Sequence, residues 1–243
     1  MEVVGVIPAR LKSTRLPYKL LLPLLGKPLI QWTWENAKKA ALLDKLIIAC
    51  DDEKLKKIAE SFGAEVILTS SRHTSGTDRV AEAVREMNVR FVVNIQADEP
   101  LIHPSLIDSL IETMKEDSSL VMATAKKKIT DPSEIEDPNV VKVVTDKDDF
   151  ALYFSRLPIP YSENKEADYY KHIGIYIYTK DFLFTFKNLG PSSLEKTERL
   201  EQLRAIEAGY KIKVITTSFE CHGVDTEKDL AKVERILRKN VRV

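Results

Sequence analysis

The order of hydrophobic and polar positions follows two alternating periods along the first half of the chain. Short, continuously apolar runs are typical of strands buried in a parallel sheet, and the first lies at residues 3–7. Between such runs the apolar residues recur at helical spacing, first over residues 29–41, where Pro28 stands at the expected helix start. Further strands are predicted at residues 46–49, 66–68, 91–95 and 121–125, and further helices near residues 55–62, 80–87 and 107–114. This alternation predicts an α/β fold with a mostly parallel central sheet and helices on both faces.

The pattern changes after residue 125. Strands are predicted at residues 140–145, 151–155 and 174–178 with no long helix between them, which indicates an inserted antiparallel region. A helix over residues 194–208, a strand at 213–217 and a last helix from Thr226 then resume the first pattern. We therefore predict one domain over residues 1–243, with its core at about 1–125 and 179–243 and an inserted subdomain at about 126–178.

Composition excludes several classes of protein. The 243 residues hold 37 Lys and Arg against 37 Asp and Glu, and this balance argues against a general binder of nucleic acid or anionic membranes. Cys50 and Cys221 are too few for a disulfide scaffold or a cysteine-rich zinc site. We expect no signal peptide and no membrane span.

The turn after the first predicted strand is strongly basic. It carries four cations between residues 10 and 19, with hydroxyl groups among them: Arg10, Lys12, Ser13, Thr14, Arg15 and Lys19. Parallel sheets bind ligands beyond the carboxyl ends of their strands, so this cluster is placed to hold a triphosphate. Neither of the two common glycine-rich phosphate loops occurs, and side-chain cations would therefore replace the glycine cradle. The alternative is a solvated basic loop.

Two carboxylates follow other strands at the same predicted edge. Asp98 comes after the strand at residues 91–95, and Asp225 follows the last strand. Mg²⁺ commonly uses one or two carboxylates together with substrate phosphates, so this pair is a candidate metal site. The alternatives are that Asp98 is a turn residue before Pro100 and that Asp225 caps the final helix, although Thr226 can take that cap instead.

A second acidic stretch has the form of a different metal motif. Asp146 and Asp148 match the D-x-D pattern of many glycosyltransferases that use sugar nucleotides, but Asp149 follows directly and a solvated turn is favoured. Asp51 and Asp52 follow the second strand, where contact with a ligand is one interpretation and capping of the next helix is the favoured one.

Eight motifs in order resemble the cytidylyltransferases that activate 3-deoxy-D-manno-octulosonate (Kdo), and they cover almost the whole chain. They are P-A-R-x-x-S-T-R-L-P at 8–17, H-x-S-G-T-D-R at 73–79, Q-A-D-E-P at 96–100, P-N-x-V-K-V-V at 138–144, A-L-Y-F-S-R at 151–156, H-I-G-I-Y at 172–176, L-E-x-x-E-x-L-E-Q-L-R at 194–204 and G-V-D-T at 223–226. The chain departs from that family at a few positions. Tyr18 and Leu20 stand where the family usually has Gly and Pro, Ala97 where it has Gly, and Lys171 where it has Arg.

The resemblance implies a Rossmann-like nucleotide-diphospho-sugar transferase fold with an inserted antiparallel flap for dimerisation and sugar binding. It implies a cytoplasmic homodimer that converts CTP and Kdo to CMP-Kdo and diphosphate for lipopolysaccharide synthesis, with Mg²⁺ as cofactor. CMP transfer to another acidic sugar, such as a sialic acid, and a GT-A glycosyltransferase remain as alternatives.

The resemblance also implies a role for individual residues. Arg10, Lys19, Asp98 and Asp225 would be catalytic, and the two aspartates would hold Mg²⁺. The predicted nucleotide contacts are Pro8, Ala9, Arg10, Ser13, Arg15, Lys19, His73, Ser75, Gly76 and Gln96. The predicted sugar contacts are Gln96, Arg156, His172, Tyr176, Glu201 and Gln202. Purely structural roles are the alternatives for some of these residues. The S-G-T-D segment can be a turn in which Thr77 caps a helix, and His172 and Tyr176 can pack together on one face of a strand.

Overall fold

The structure, a computed structural model, describes residues 1–13, 16–163 and 167–240. In chain order the strands are β1 (Val3–Ala9), β2 (Pro23–Leu24), β3 (Lys27–Pro28), β4 (Lys45–Cys50), β5 (Glu65–Leu68), β6 (Phe91–Asn94), β7 (Met122–Lys128), β8 (Lys142–Thr145), β9 (Ala151–Ser155), β10 (Tyr170–Thr179) and β11 (Lys213–Thr216). The helices are α1 (Leu29–Ala37), α2 (Glu53–Ser61), α3 (Gly76–Ala83), α4 (Pro104–Glu116), α5 (Ser133–Glu136), α6 (Lys180–Asn188), α7 (Ser193–Glu198), α8 (Leu203–Glu207) and α9 (Glu227–Asn240). The predicted α/β class is confirmed.

Two compact units make up the chain. The first comprises Met1–Ser109 and the described part of Glu220–Val243, and the second comprises Leu110–Phe219. The predicted insert at residues 126–178 lies inside the second unit, which also includes α6, α7, α8 and β11. The expectation of a single domain stays a prediction.

In the first unit β2 and β3 form a separate antiparallel pair. The main sheet there pairs its strands in parallel, in the order β6-β1-β4-β5. Its strands are short and apolar because they are buried, as Val6 and Ile7 in β1 show with no exposed surface. Ala9 lies beside Cys50, and Cys50 beside Leu68, so β1, β4 and β5 end level with one another. The chain after β6 continues along β1, where the Ile95 amide donates to the Val6 carbonyl. The turns after these strands therefore meet at one edge.

In the second unit the strands run in both directions. β7 pairs in parallel with β11 and antiparallel with β10, while β8 pairs antiparallel with β10 and β9. The antiparallel pairing expected of residues 126–178 is present. Among the described helices of the whole chain, none combines the length and apolar character that crossing a bilayer requires.

The predicted continuous helix over residues 194–208 is wrong. α7 ends before Arg199, which adopts a left-handed conformation with φ 56°, and α8 begins only at Leu203. The Glu198 carbonyl accepts from the Arg156 Nε group at 2.8 Å, so this tertiary contact takes an oxygen that a continuing helix would use internally. Glu201 and Gln202 consequently lie in a turn between two helices.

Helix α6 was missed because its aromatic residues alternate. Phe182, Phe184 and Phe186 are spaced by two, which imitates a strand, yet Thr179 caps the helix by accepting from the Phe182 amide. Phe182 and Phe186 are buried while Phe184 is less so, and burial therefore follows the helical period.

Candidate functional site

A polar cavity of about 250 Å³ lies in the first unit at the carboxyl edge of the sheet. Its walls are the end of β1, the basic turn, the segment after β6 and the start of the final helix. The lining residues are Pro8, Arg10, Lys12, Ser13, Lys19, Leu20, Gln96, Ala97, Asp98 and Asp225. The structure thus brings together the predicted catalytic set and most of the predicted phosphate contacts. Arg15 and its neighbour Thr14 lie outside the described residues.

The centre of this cavity is an ion triad of Lys19, Asp98 and Asp225. The Lys19 Nζ atom lies 2.5 Å from Asp98 Oδ2 and 2.9 Å from Asp225 Oδ1. Burial on its own would lower the pKa of the Lys19 ammonium, but the two carboxylates outweigh it and the pKa is raised above its ordinary value. Both carboxylates therefore face a single positive charge.

Backbone contacts explain why the two carboxylates meet. The Val224 amide donates to the Asp98 carbonyl at 2.9 Å, which fastens the segment before α9 to the segment after β6. The Asp229 amide donates to Thr226 Oγ1, so Thr226 caps α9 and the Asp225 side chain stays directed at Lys19. On the other side, Thr33 Oγ1 donates to the Ala97 carbonyl at 3.0 Å. Asp98 is therefore held from two directions.

This pair of carboxylates suits a hard divalent cation. Both present oxygen ligands and both already point at a cation, which is the donor set that Mg²⁺ takes together with substrate phosphates. Within the described residues, no group of three or more His, Cys, Asp or Glu side chains is arranged to hold a metal ion by itself. The residues fit a metal that depends on its substrate for further ligands.

The backbone of the basic turn accounts for one departure from the family pattern. Tyr18 adopts φ 54° in the left-handed region immediately before Lys19. Glycine reaches this region without steric cost, which explains why the family usually has glycine there. In this chain tyrosine takes the same conformation, with its ring half exposed beneath the Lys54 ammonium.

A second cavity of about 150 Å³ adjoins the first and shares Pro8, Arg10 and Gln96 with it. Its remaining lining residues are Ala9, His73, Thr74, Ser75, Gly76 and Arg79. The alternative in which Thr77 caps this helix is wrong, because Ser75 caps α3 by accepting from the Asp78 amide at 3.0 Å. His73 is held by a close contact between its Nε2 atom and a Glu82 carboxylate oxygen. The predicted base-binding residues thus line one small cavity.

In the second unit, the partly exposed His172 and Tyr176 form an aromatic cluster with buried Phe154. His172 Nε2 lies 3.0 Å from Thr124 Oγ1, and its ring meets Phe154 edge-on at 5.1 Å and Tyr176 at 5.3 Å. Burial lowers the pKa of His172 to about 3 and raises that of Tyr176 well above its ordinary value. Both side chains are therefore neutral near pH 7.

The other predicted sugar residues of this unit differ in how their polar groups are used. Arg156 donates to the Glu198 and Pro138 carbonyls, each at 2.8 Å, and Glu201 lies 3.8 Å from the Arg204 guanidinium. Gln202 is only 5% exposed, and its Nε2 amide has no hydrogen-bond partner among the described residues. Buried polar groups normally have a hydrogen-bond partner, so this amide is a candidate donor to an acceptor on a bound ligand.

Sequence reasoning missed one residue that supports Arg156. Lys142 has no exposed surface, and its ammonium donates to the carbonyls of Asp137, Val140 and Arg156 at 2.6 to 2.9 Å. Burial lowers the pKa of this amine. The sequence contained an indication of this role, because Lys142 stands inside the apolar run 140–144. A lysine in a buried strand needs hydrogen-bond partners within the protein.

The acidic stretch at residues 146–149 forms a turn. The Asp146 carboxylate accepts from the Asp148 and Phe150 amides, and Asp149 pairs with Lys126 at 2.8 Å. These contacts use the carboxylates to close the connection between β8 and β9. The solvated-turn interpretation explains the stretch without a metal.

Comparisons with known proteins show the family of this chain. A family model described as Cytidylyltransferase matches residues 4–212. The 3-deoxy-manno-octulosonate cytidylyltransferase of Chloroherpeton thalassium (strain ATCC 35110 / GB-78) is 50% identical over 246 residues, covering 100% of both chains. That of Solibacter usitatus (strain Ellin6076) is 48% identical over 242 residues, covering 99% of this chain and 96% of its own. A solved structure of CMP:2-keto-3-deoxy-manno-octonic acid synthetase complexed with CTP is 39% identical, with a TM-score of 0.94, and the match covers 99% of this chain and 100% of that one.

Proposed function

The chain belongs to the 3-deoxy-manno-octulosonate cytidylyltransferase family, and on this premise we propose how its own residues form CMP-Kdo. The reaction joins CTP and Kdo to give CMP-Kdo and diphosphate, in the synthesis of lipopolysaccharide. The anomeric 2-hydroxyl of Kdo attacks the α-phosphorus of CTP, and diphosphate leaves in line. The observation that carries the assignment of residues is the triad of Lys19, Asp98 and Asp225 in a cavity lined by the basic turn.

Arg10 and Lys19 stabilise the charge that spreads over the phosphate oxygens in the transition state. Nucleotidyl transfer depends mainly on positioning and on neutralising this charge, which fixed cations in a confined cavity do well. Lys12 and Ser13 line the same cavity and add a further cation and a hydroxyl donor for the β- and γ-phosphates. The Lys19 ammonium stays charged because its pKa is raised. We assign Arg15 a supporting phosphate contact on the resemblance alone.

Asp98 and Asp225 are the residues that would hold Mg²⁺. When bound, the ion supplies positive charge beside the phosphates and lowers the pKa of a sugar hydroxyl. The contribution of the chain is to keep two carboxylates directed at one point, through the Val224 amide and the Thr33 hydroxyl. No separate general base among the side chains is assigned.

The cytosine base occupies the cavity beside Pro8, Ala9 and the loop that carries Ser75 and Gly76. A pyrimidine is small, and the cavity of about 150 Å³ offers it a confined space. His73, held by Glu82, forms one wall of this space. Gln96 lines both cavities, and we assign it contacts with the nucleotide and, on the resemblance alone, with the sugar.

Kdo is bound by a mixture of neutral and charged groups. A neutral imidazole and a neutral phenol at His172 and Tyr176 can each donate to or accept from sugar hydroxyls. The unsatisfied Gln202 amide supplies a donor, and Glu201 an acceptor. Arg156 supplies the cation for the sugar carboxylate.

Release of diphosphate tests this function directly. We expect release with CTP and Mg²⁺ only when Kdo is present, and none without sugar or with N-acetylneuraminate in its place. UTP in place of CTP is the matched control for the base. Release with N-acetylneuraminate alone would keep the chemistry and overturn the sugar assignment, and no release with any sugar would overturn the proposal.

We also propose that the enzyme is a cytoplasmic homodimer that associates through the inserted strands, as the family resemblance implies. The support is apolar exposure in this segment, where Leu152, Leu157 and Tyr161 are 57%, 70% and 88% exposed. Leu157→Ser with Tyr161→Ser is expected to weaken self-association about tenfold or more in sedimentation equilibrium, while Leu68→Ser in the first unit leaves it unchanged. A wild-type protein that is monomeric at micromolar concentration would contradict this proposal.

A further inference from the structure

A buried ion pair lies behind the base cavity and takes no part in the mechanism above. The Arg79 guanidinium, on α3, lies 3.1 Å from Asp51 Oδ2, just after β4. The Arg79 side chain is 3% exposed and that of Asp51 is 10% exposed. A charge pair removed from water to this degree is retained only where its geometry and hydrogen bonds are well satisfied. The other hydrogen bonds of Asp51 and Arg79 therefore indicate which segments this ion pair holds together.

Each member of the pair has a second contact with a different strand end. Asp51 Oδ1 accepts from the Leu11 amide at 3.1 Å, in the basic turn after β1. Arg79 Nη1 donates to Thr69 Oγ1 at 2.6 Å, and that hydroxyl in turn donates to the Cys50 carbonyl at 3.0 Å. One ion pair thus connects the turns that follow β1, β4 and β5 with the helix that begins at Gly76.

The connection runs between the two walls of the base cavity. Leu11 stands directly between Arg10 and Lys12, both of which line the phosphate cavity, and Arg79 lies one turn of α3 beyond Ser75 and Gly76. The distance between the basic turn and the base-binding loop is therefore set by the length of the Asp51–Arg79 pair. The forked guanidinium is needed for this, because only a fork reaches Asp51 and Thr69 from separate nitrogens.

We propose that Asp51 and Arg79 are positioning residues for CTP, which fix the basic turn at its working distance from the base-binding loop. They act through Leu11 and α3, and Arg79 also forms the back wall of the base cavity. This inference rests on the proposed function, since it assigns the pair to CTP and leaves the Kdo residues of the second unit untouched.

Arg79→Lys is the test, because it keeps a cation beside Asp51 but loses the contact with Thr69. We expect the dissociation constant for CTP, measured by calorimetry without sugar, to rise about tenfold. The KM for CTP rises with it, while the KM for Kdo is unchanged. Thr69→Val leaves the ion pair intact and is expected to give a smaller rise of the same kind. It also serves as the informative variant if Arg79→Lys does not fold.

Glu35→Gln is the control. It removes the charge of another ion pair in the same unit, in which Glu35 Oε2 lies 2.7 Å from Lys27 Nζ, and neither residue lines the two cavities. We expect it to leave CTP affinity unchanged. Unchanged CTP affinity in folded Arg79→Lys and Thr69→Val would overturn the inference. So would loss of thermal stability with equal changes in the KM values for CTP and Kdo. Failure of the proposed function is distinguishable, because it shows in the wild type as absent CTP binding or turnover, whereas this inference concerns the ratio of variant to wild type.

Discussion

Asp98→Asn is expected to lower the turnover of CMP-Kdo formation by about 10²–10³-fold, and Asp225→Asn to have an effect of the same order. Each substitution keeps the size of the side chain but removes one of two charged oxygen ligands that the structure directs at a single cation. Each also weakens the hold on Lys19, which sits 11% exposed between the two carboxylates. The measurement is diphosphate release at saturating CTP and Kdo, with Mg²⁺ titrated to separate lost affinity from lost turnover.

Asp148→Asn is the matched control for this prediction. It makes the same chemical change in the D-x-D stretch, where the Asp148 backbone, through its amide and carbonyl, makes the contacts with Asp146 and Lys213. We expect unchanged turnover from this variant. If Asp98→Asn retained wild-type turnover at every Mg²⁺ concentration, Asp98 would not belong to the metal site.

His172 is expected to make the free energy of unfolding depend on pH. As the pH drops below about 6.5, this residue alone lowers that free energy by about 1.4 kcal/mol per pH unit. Burial lowers the pKa of this imidazole to about 3 in the folded chain, whereas the unfolded chain keeps the ordinary value of 6.5. Between about pH 3 and pH 6.5 the imidazole is protonated in the unfolded state but neutral in the folded state. Lowering the pH in this range therefore favours unfolding. Above the unfolded pKa both states are neutral, and the residue adds no pH dependence.

Urea unfolding from pH 4.5 to 7.5 measures this slope. His172→Gln removes the titrating group and is expected to flatten the curve, although its stability at pH 7 also changes because the contact with Thr124 changes. Parallel curves for wild type and His172→Gln would show that this imidazole ionises inside the folded protein as it does outside.

Several features could be read from the sequence because they depend on local order. Burial on both faces makes β1, β4 and β6 continuously apolar, so their positions followed from residues 3–7, 46–49 and 91–95. Parallel strands end at one edge, which is why the basic turn and Asp98 were expected to lie close together. The ordered motifs identified the family, and they also predicted the residues of the site.

Only the tertiary structure decided which partner each of these residues takes. Lys19 meets carboxylates 79 and 206 positions away, and nothing in the local pattern distinguishes that contact from a salt bridge with a nearer acid. The stretch of Asp51 and Asp52 was expected to cap the next helix, and Asp52 does so by accepting from the Lys54 amide. The pairing of Asp51 with Arg79 was not predicted. The helix over residues 194–208 breaks where Arg156 takes the Glu198 carbonyl. Hydrophobic periodicity reports which face of an element is buried, whereas these pairings depend on how distant segments close in space, and that closure has no local signature.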